Sequence, residues 1–424
     1  MARKMKDSGI EWIGEIPEGW ETCLYKYCCS VQPGYPFDSA KFSNSSTDGF
    51  PLIRIRDITS GEIQTYYTGE YSPNYIVTAG DLLVGMDGDF NVRWWNNDAA
   101  LLNQRCCRVT EKDSVLRRFL YYVLPFTLQH INTLTYATTV KHLANGDILN
   151  SFIAFPSLPA QQNIVHYLDT VCSEIDAMLS KTRSSIEEYK KLKQAVITQA
   201  VTKGVRGERV MKDSGVECIG KIPTTYSICK LKYLLKNPLK YGANESGIPY
   251  SDSLPRYIRI TDITPDGNLK YTGKLSLSEE SAKDYILEDG DILFARSGAT
   301  VGKTFIYYQS YGRSAYAGYL IKASLNNKVS PKFVYYYTCS SLYEIWKNSI
   351  FIQSTIQNIG ADRYANLPVP VPKTLQEQEE IADYLDAKCA EIDKLIAKKE
   401  QLVKELESYK KSLIYEVVTG KREV

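Results

Sequence analysis

The chain has 424 residues, of which 44% are hydrophobic and 24% charged, and its formal net charge is +2. This is an ordinary globular composition, long enough for two or three domains that each bury a core. No apolar run approaches the roughly 18 residues of a membrane span, and "MARKMKDSG" at the start lacks the apolar core of a signal peptide, so the expectation is a cytoplasmic protein.

The ten cysteines include no C-x-x-C, and with only His130, His142 and His166 beside them they offer no metal spacing. They read as reduced, mostly buried thiols, with no metal and no cofactor in this chain. Charge is uneven: residues 1–155 carry −3 and residues 207–371 carry +5. That imbalance is too small to announce a nucleic-acid binder by itself.

Residues 1–155 alternate short β-branched and aromatic runs with Gly, Asp, Asn and Ser turns, which predicts a globular α+β head. "FPLIRIRDI" (50–58) and "DLLVGM" (81–86) read as strands, and "SVLRRFLYYVLPF" (114–126) has apolar positions at helical spacing. In or beside turns stand Asn91 and Arg93 from "GDFNVRWW", and Asn103, Gln104 and Arg105 from "NQR". "TTVKH" adds Thr138, Thr139, Lys141 and His142. Arg and Lys suit guanine, Asn and Gln suit adenine, and small polar groups assist, so these would be the base-reading candidates of a head that binds DNA. Asp87 and Asp89 read as turn residues, because nothing in the sequence supplies them with a basic cluster.

Residues 156–206 form a connecting element. "PSLP" leads into a helix over 160–202, where Ile164, Leu168, Val171, Ile175 and Met178 alternate by 4 and 3; the rhythm lapses at Thr182 and resumes near Ile186 and Tyr189.

Residues 207–371 predict a second α+β head, with strands in "RYIRITDI" (256–263) and "DILFA" (291–295) and helical spacing in "KFVYYYTCSSLYEIW" (332–346). "SGATVGKT" (297–304) is close to a phosphate loop but is not one. Gly298 and Gly302 enclose three residues where four are needed, and "TFIYYQSYG" after Lys303 reads as a strand instead of the helix such a loop opens. This segment supplies Arg296, Ser297, Thr300 and Lys303 as candidate DNA contacts, and "IQSTIQN" supplies Gln353, Ser354, Thr355 and Gln357. Residues 372–424 hold a second helix, over 375–417. Its predicted seam is Ile381, Leu385, Lys388, Ile392, Leu395, Lys399, Leu402, Leu406, Tyr409 and Leu413, with the two lysines snorkelling or fixing register.

The chain is written twice. "KDSGIEWIGEIPEGW" (6–20) returns as "KDSGVECIGKIPTTY" (212–226). Ile164, Tyr167, Leu168, Asp169, Cys172, Glu174, Ile175 and Asp176 all recur 217 positions later. Between these anchors the interiors diverge, which suits two binding heads of different specificity. A helical stripe of about 40 residues, roughly 60 Å long, has to be covered, so the two helices are expected to pack on one another, antiparallel if the halves are related by a pseudo-twofold axis.

The order of "KDSGIEWIGEIPEGW", the proline-Gln-x-x-Ile helix entries ("PSLPAQQNI", "PKTLQEQEEI"), "YLD...C.EID" and the closing "VTGK" resembles the specificity subunits of type I restriction-modification enzymes over essentially the whole chain. The resemblance implies an α+β fold with two pseudo-symmetric target recognition domains joined by two long helices. Each domain would read one half of an asymmetric bipartite DNA site, and the helices would act as a ruler and dock two methyltransferase subunits. Those partners would hold S-adenosylmethionine and methylate adenine, and translocase/endonuclease subunits would use ATP and magnesium. The chain itself would not be catalytic, in keeping with a sequence that has no [DN]-P-P-[YF], G-x-S-x-G or phosphate-loop motif. The rival reading is a two-headed scaffold that binds protein.

Overall fold

Both halves begin with the same antiparallel ribbon. Met5–Asp7 pairs with Glu15–Pro17, and Met211–Asp213 pairs with Lys221–Pro223, in matching register: Met5 faces Pro17 and Met211 faces Pro223. In the computed structural model the described residues are 3–134, 141–264, 267–298, 300–351 and 358–424. They divide into two compact units, Met1–Thr182 with Leu402–Val424, and Arg183–Gln401. Each unit therefore holds one head and a segment of both long helices.

In the first head a four-stranded antiparallel sheet has the order Val92–Trp94, Leu82–Gly85, Cys106–Glu111, Cys29–Pro33. Beside it lies a five-stranded sheet in which Phe50–Ile53 and Ala100–Leu102 pair in parallel. The second head repeats the four-stranded order with Thr304–Ile306, Ile292–Ala295, Leu320–Ala323 and Lys240–Tyr241. Here too the companion sheet has one parallel pair, Arg256–Ile258 with Ser314–Tyr316. The helix Arg117–Leu134 buries Phe119, Leu120, Val123, Leu124 and Leu128. In the second head the corresponding apolar stretch forms two helices, Pro331–Thr338 and Ser341–Phe351. Ser340 separates them: its hydroxyl donates to the Tyr337 carbonyl at 2.6 Å, which ends one helix.

The strands expected over 50–58 and 256–263 stop early. After Ile53 the chain turns into the helix Ile55–Ser60, and after Ile258 into the single turn Ile260–Asp262. The cause is local. Asp57 and Asp262 reach back to accept the backbone N–H of Arg54 and Arg259, each at 2.8 Å, offering the backbone a capped turn in place of a ladder. The proline-rich "PVPVP" also departs from simple punctuation, because Pro368–Pro372 is a strand paired with Tyr226–Lys230. Prolines at alternate positions leave Val369 and Val371 with their N–H groups, and a two-stranded sheet has only edges, where proline is tolerated.

The long helices run over Leu158–Lys203 and Leu375–Val418. Gly204 (φ 76°) and Gly420 (φ 72°) follow them in the left-handed conformation that closes a helix. Within the second unit Lys399 lies 5.8 Å from the Tyr189 ring centroid and Lys193 pairs with Asp393 at 2.6 Å, so one residue number falls as the other rises and the segments are antiparallel.

The seam differs from the predicted one at alternate positions. Ile381, Leu385, Ile392 and Leu413 are buried as expected, but Cys389 is buried in place of Lys388, and Val403 packs where Leu402 was expected. Leu395, Leu402 and Tyr409 are exposed. The first helix shows the same one-residue change: Cys172 and Leu179 are buried, while Met178 is exposed. With Leu179 in the stripe, the lapse at Thr182 disappears, since Thr182 and Ile186 continue at spacings of 3 and 4. Lys388 points to water and pairs with Glu391 at 2.9 Å.

The motif residues shared by both halves tie head to helix. Gln161 is fully buried; its side-chain oxygen accepts from the Leu116 N–H at 2.9 Å, and its nitrogen donates to the Pro156 carbonyl at 2.9 Å and the Ser114 carbonyl at 3.1 Å. Gln378 accepts from the Ser330 N–H at 2.8 Å and donates to the Pro372 carbonyl at 3.0 Å. Asp169 accepts from Arg118 at 2.8 Å and Tyr122 at 2.5 Å, and Asp386 accepts from Lys332 at 2.7 Å and Tyr336 at 2.5 Å. The repeated letters are thus the joints of each unit.

Candidate nucleic-acid interface

The hairpin after each "GD[IL]L" strand carries the site. In the first head the loop 86–91 joins Leu82–Gly85 to Val92–Trp94, with Gly88 at φ 76° and Phe90 at φ 52°. Phe90 is buried and pins the loop tip to the core. Two distant segments close on this loop. The Met86 N–H donates to the Arg105 carbonyl at 2.9 Å, and the Leu143 N–H to the Met86 carbonyl at 2.7 Å. An isolated antiparallel bridge joins Asp87 to His142.

The second head repeats this node bond for bond. The loop 296–303 joins Ile292–Ala295 to the strand Thr304–Ile306, so Lys303 is followed by a strand and no phosphate-binding helix forms. The Arg296 N–H donates to the Tyr319 carbonyl at 3.0 Å, the Ile359 N–H donates to the Arg296 carbonyl at 2.8 Å, and Ser297 bridges Asn358. Gly34 and Gly242 let a neighbouring chain segment approach: a Cβ would stand 2.2 Å from the Asn103 carbonyl oxygen in one head and 2.4 Å from that of Ala317 in the other.

The side chains on this common frame differ. In the first head Asp87 accepts from His142 Nδ1 at 2.7 Å and lies 3.4 Å from the Arg105 guanidinium. Asp87 therefore has the basic partners that its sequence neighbourhood lacks. Lys141 donates to the Asn132 carbonyl at 2.7 Å and to its side-chain oxygen at 2.5 Å. Gln104 is exposed, and Asn103 is buried with its backbone bridged to Tyr35. Asn91 donates to the Thr59 hydroxyl at 3.2 Å. Arg93 donates from Nε to the Ile58 carbonyl and from Nη2 to the Thr59 carbonyl at 2.6 Å, closing the helix Ile55–Ser60.

In the second head the Arg296 guanidinium lies 5.1 Å from the Tyr241 ring centroid, and among the described residues its buried Nε has no hydrogen-bond partner. The Tyr241 hydroxyl accepts from the Ala361 N–H at 3.0 Å, which fixes the ring. Lys303 is exposed, Ser297 and Thr300 are half-buried, and the Thr300 carbonyl accepts the Lys303 N–H at 3.0 Å. Thr138, Thr139, Gln353, Ser354, Thr355 and Gln357 lie outside the described residues.

Sequence reasoning did not single out Tyr241, Tyr319 or Asn358. Tyr319 is 63% exposed. The signal that finds them is alignment of the two halves by backbone bonds. The thiols near the first node stay protonated, since burial pushes Cys107 up to about 12 and Cys106 higher still, which removes them as nucleophiles.

Two heads with one backbone node and two sets of side chains match a single family description, type I restriction modification DNA specificity domain, over residues 17–188 and 249–405. The chain belongs to that family. It is 29% identical over 391 residues to the Type I restriction enzyme EcoBI specificity subunit of Escherichia coli, covering 90% of this chain and 81% of that protein. It is 22% identical over 427 residues to the MjaVIII specificity subunit of Methanocaldococcus jannaschii, covering 96% and 93%. A solved chain from work on complex assembly and conformational transition of the type I R-M system superposes with a TM-score of 0.71 at 15% identity, covering 96% of this chain and 99% of that one. The last likeness is one of fold. Among the described residues no helix is long and apolar enough to cross a membrane.

Proposed function

We propose that the chain is the DNA-sequence specificity subunit of a type I restriction-modification complex, each head reading one half of an asymmetric bipartite site. The observation that carries this is the repeated node: the same backbone frame presents Asp87, Arg105 and His142 in one head and Ser297, Tyr319 and Asn358 in the other. A single ancestral reader with two side-chain sets on one backbone frame is suited to read two words. The candidate contacts are those of the loops, with Arg296 and Lys303 in the second head and Arg105 and Lys141 in the first.

In this reading the long helices set the distance between half-words and dock two adenine-methyltransferase subunits. Those subunits would bring S-adenosylmethionine, and translocase/endonuclease subunits would bring ATP and magnesium, so the chain performs recognition and its partners the chemistry. The decisive experiment maps methylated adenines across the genome with and without the gene. Loss of one two-part motif is the expected result, and an unchanged methylome under expressing conditions overturns the reading.

A further inference from the structure

We propose that Asp87 is a positioning residue that aims Arg105 and His142 at the first half-word, and that Tyr319 and Asn358, at the equivalent backbone positions, read the second. This rests on the specificity reading above and adds which side chains decide the words.

Three observations carry it. First, the positions are equivalent by bonding: Arg105 and Tyr319 each accept from the residue that opens the hairpin loop, and His142 and Asn358 each bridge its second residue. Second, the side chains at those positions are presented to solvent. Arg105 is 55% and His142 51% exposed, Tyr319 is 63% exposed, and Asn358 is exposed as well. Third, the chemistry at the two nodes is complementary to different base edges. The Asp87 carboxylate accepts from His142 Nδ1, and the tautomer that donates from Nδ1 leaves Nε2 as an acceptor. Such an acceptor suits an exocyclic amine, adenine N6 or cytosine N4. Arg105, held by the same carboxylate at 3.4 Å, keeps further N–H groups for guanine O6 and N7.

The second node has no carboxylate at this position, because Ser297 stands where Asp87 stands in the first. Tyr319 offers a ring face and a hydroxyl, and Asn358 an amide that pairs with adenine N6 and N7.

The test co-expresses the chain with its methyltransferase subunits in a host and maps methylated adenines for wild type and for Asp87→Asn, Arg105→Ala, His142→Ala, Tyr319→Ala and Asn358→Ala. The first three should relax discrimination by roughly 10- to 100-fold at positions of one half-word and leave the other intact. The last two should relax the other half-word only. Asp87→Asn should disturb the positions disturbed by Arg105→Ala and His142→Ala, which general loss of stability does not do. Where Arg105→Ala abolishes methylation altogether, Arg105→Lys decides: it keeps the charge and loses the bidentate fork, so a relaxed base supports the assignment and an unchanged word overturns it. A wild type that gives a bipartite motif, with variants that leave both half-words unchanged, overturns this assignment alone. A wild type that gives no bipartite motif overturns the specificity reading and the assignment with it.

Discussion

Gln161 shows how much one side chain can hold. It is fully buried, and its amide serves two carbonyls and one N–H from segments that the helix entry has to meet. Truncation to Ala strands those groups away from water, at about 1–3 kcal/mol for each buried group left unpaired. Gln161→Ala and Gln378→Ala should therefore each lower the stability measured by urea unfolding by at least about 1 kcal/mol, and Gln161→Glu should be no better, because a carboxylate cannot donate to Pro156. Arg93 is a different case. Its guanidinium closes the helix Ile55–Ser60 through the Ile58 and Thr59 carbonyls. Loss of charged donors at a helix end costs about 1–2 kcal/mol, so Arg93→Ala should lower the unfolding midpoint, and its methylation map shows whether it also reads DNA. An unchanged first half-word would make its role purely structural.

At the scale of the element, the long helices contain two overlapping apolar stripes, and only one is buried. Val403 packs into the core of the first unit while its neighbour Leu402 stays 42% exposed. Val403→Asp puts a charge at a half-buried position against that core and should cost about 1–3 kcal/mol, visible as a lowered melting midpoint. Leu402→Asp should leave the melting midpoint within about 0.5 kcal/mol of wild type. If the two variants exchange these outcomes, the seam has the other phase. The 4-and-3 rhythm is legible in the letters, since it needs only a period. Its phase is not, because Leu395, Leu402 and Tyr409 are as apolar as the residues beside them and the choice depends on what the head and the other helix present.

At the scale of the whole molecule, the charge distribution sets how the chain meets DNA. Residues 1–155 carry −3 and residues 207–371 carry +5, for a total near neutrality at +2. Phosphate neutralisation supplies most non-specific affinity, so the lone chain should bind duplex weakly and the assembled complex well. Titrating both against the same duplex over a range of salt checks this; equal affinity and equal salt slope would refute it.

The duplication and the two long helices were legible in the sequence, because each is a pattern of period or order; the family was legible as a resemblance in the order of motifs, and the antiparallel pairing followed only if the halves were related by a pseudo-twofold axis. The fate of "SGATVGKT" was legible as well: glycine spacing and the β-branched run after Lys303 foretold the strand Thr304–Ile306. Only tertiary structure decided the phase of the seam, the early strand ends at Ile53 and Ile258, and the node itself. Asp87 lies 18 residues from Arg105 and 55 from His142, and no local rule joins groups so far apart. The sheet order brings them together, and once the backbone frame is shared by both heads, the side chains on it are free to differ.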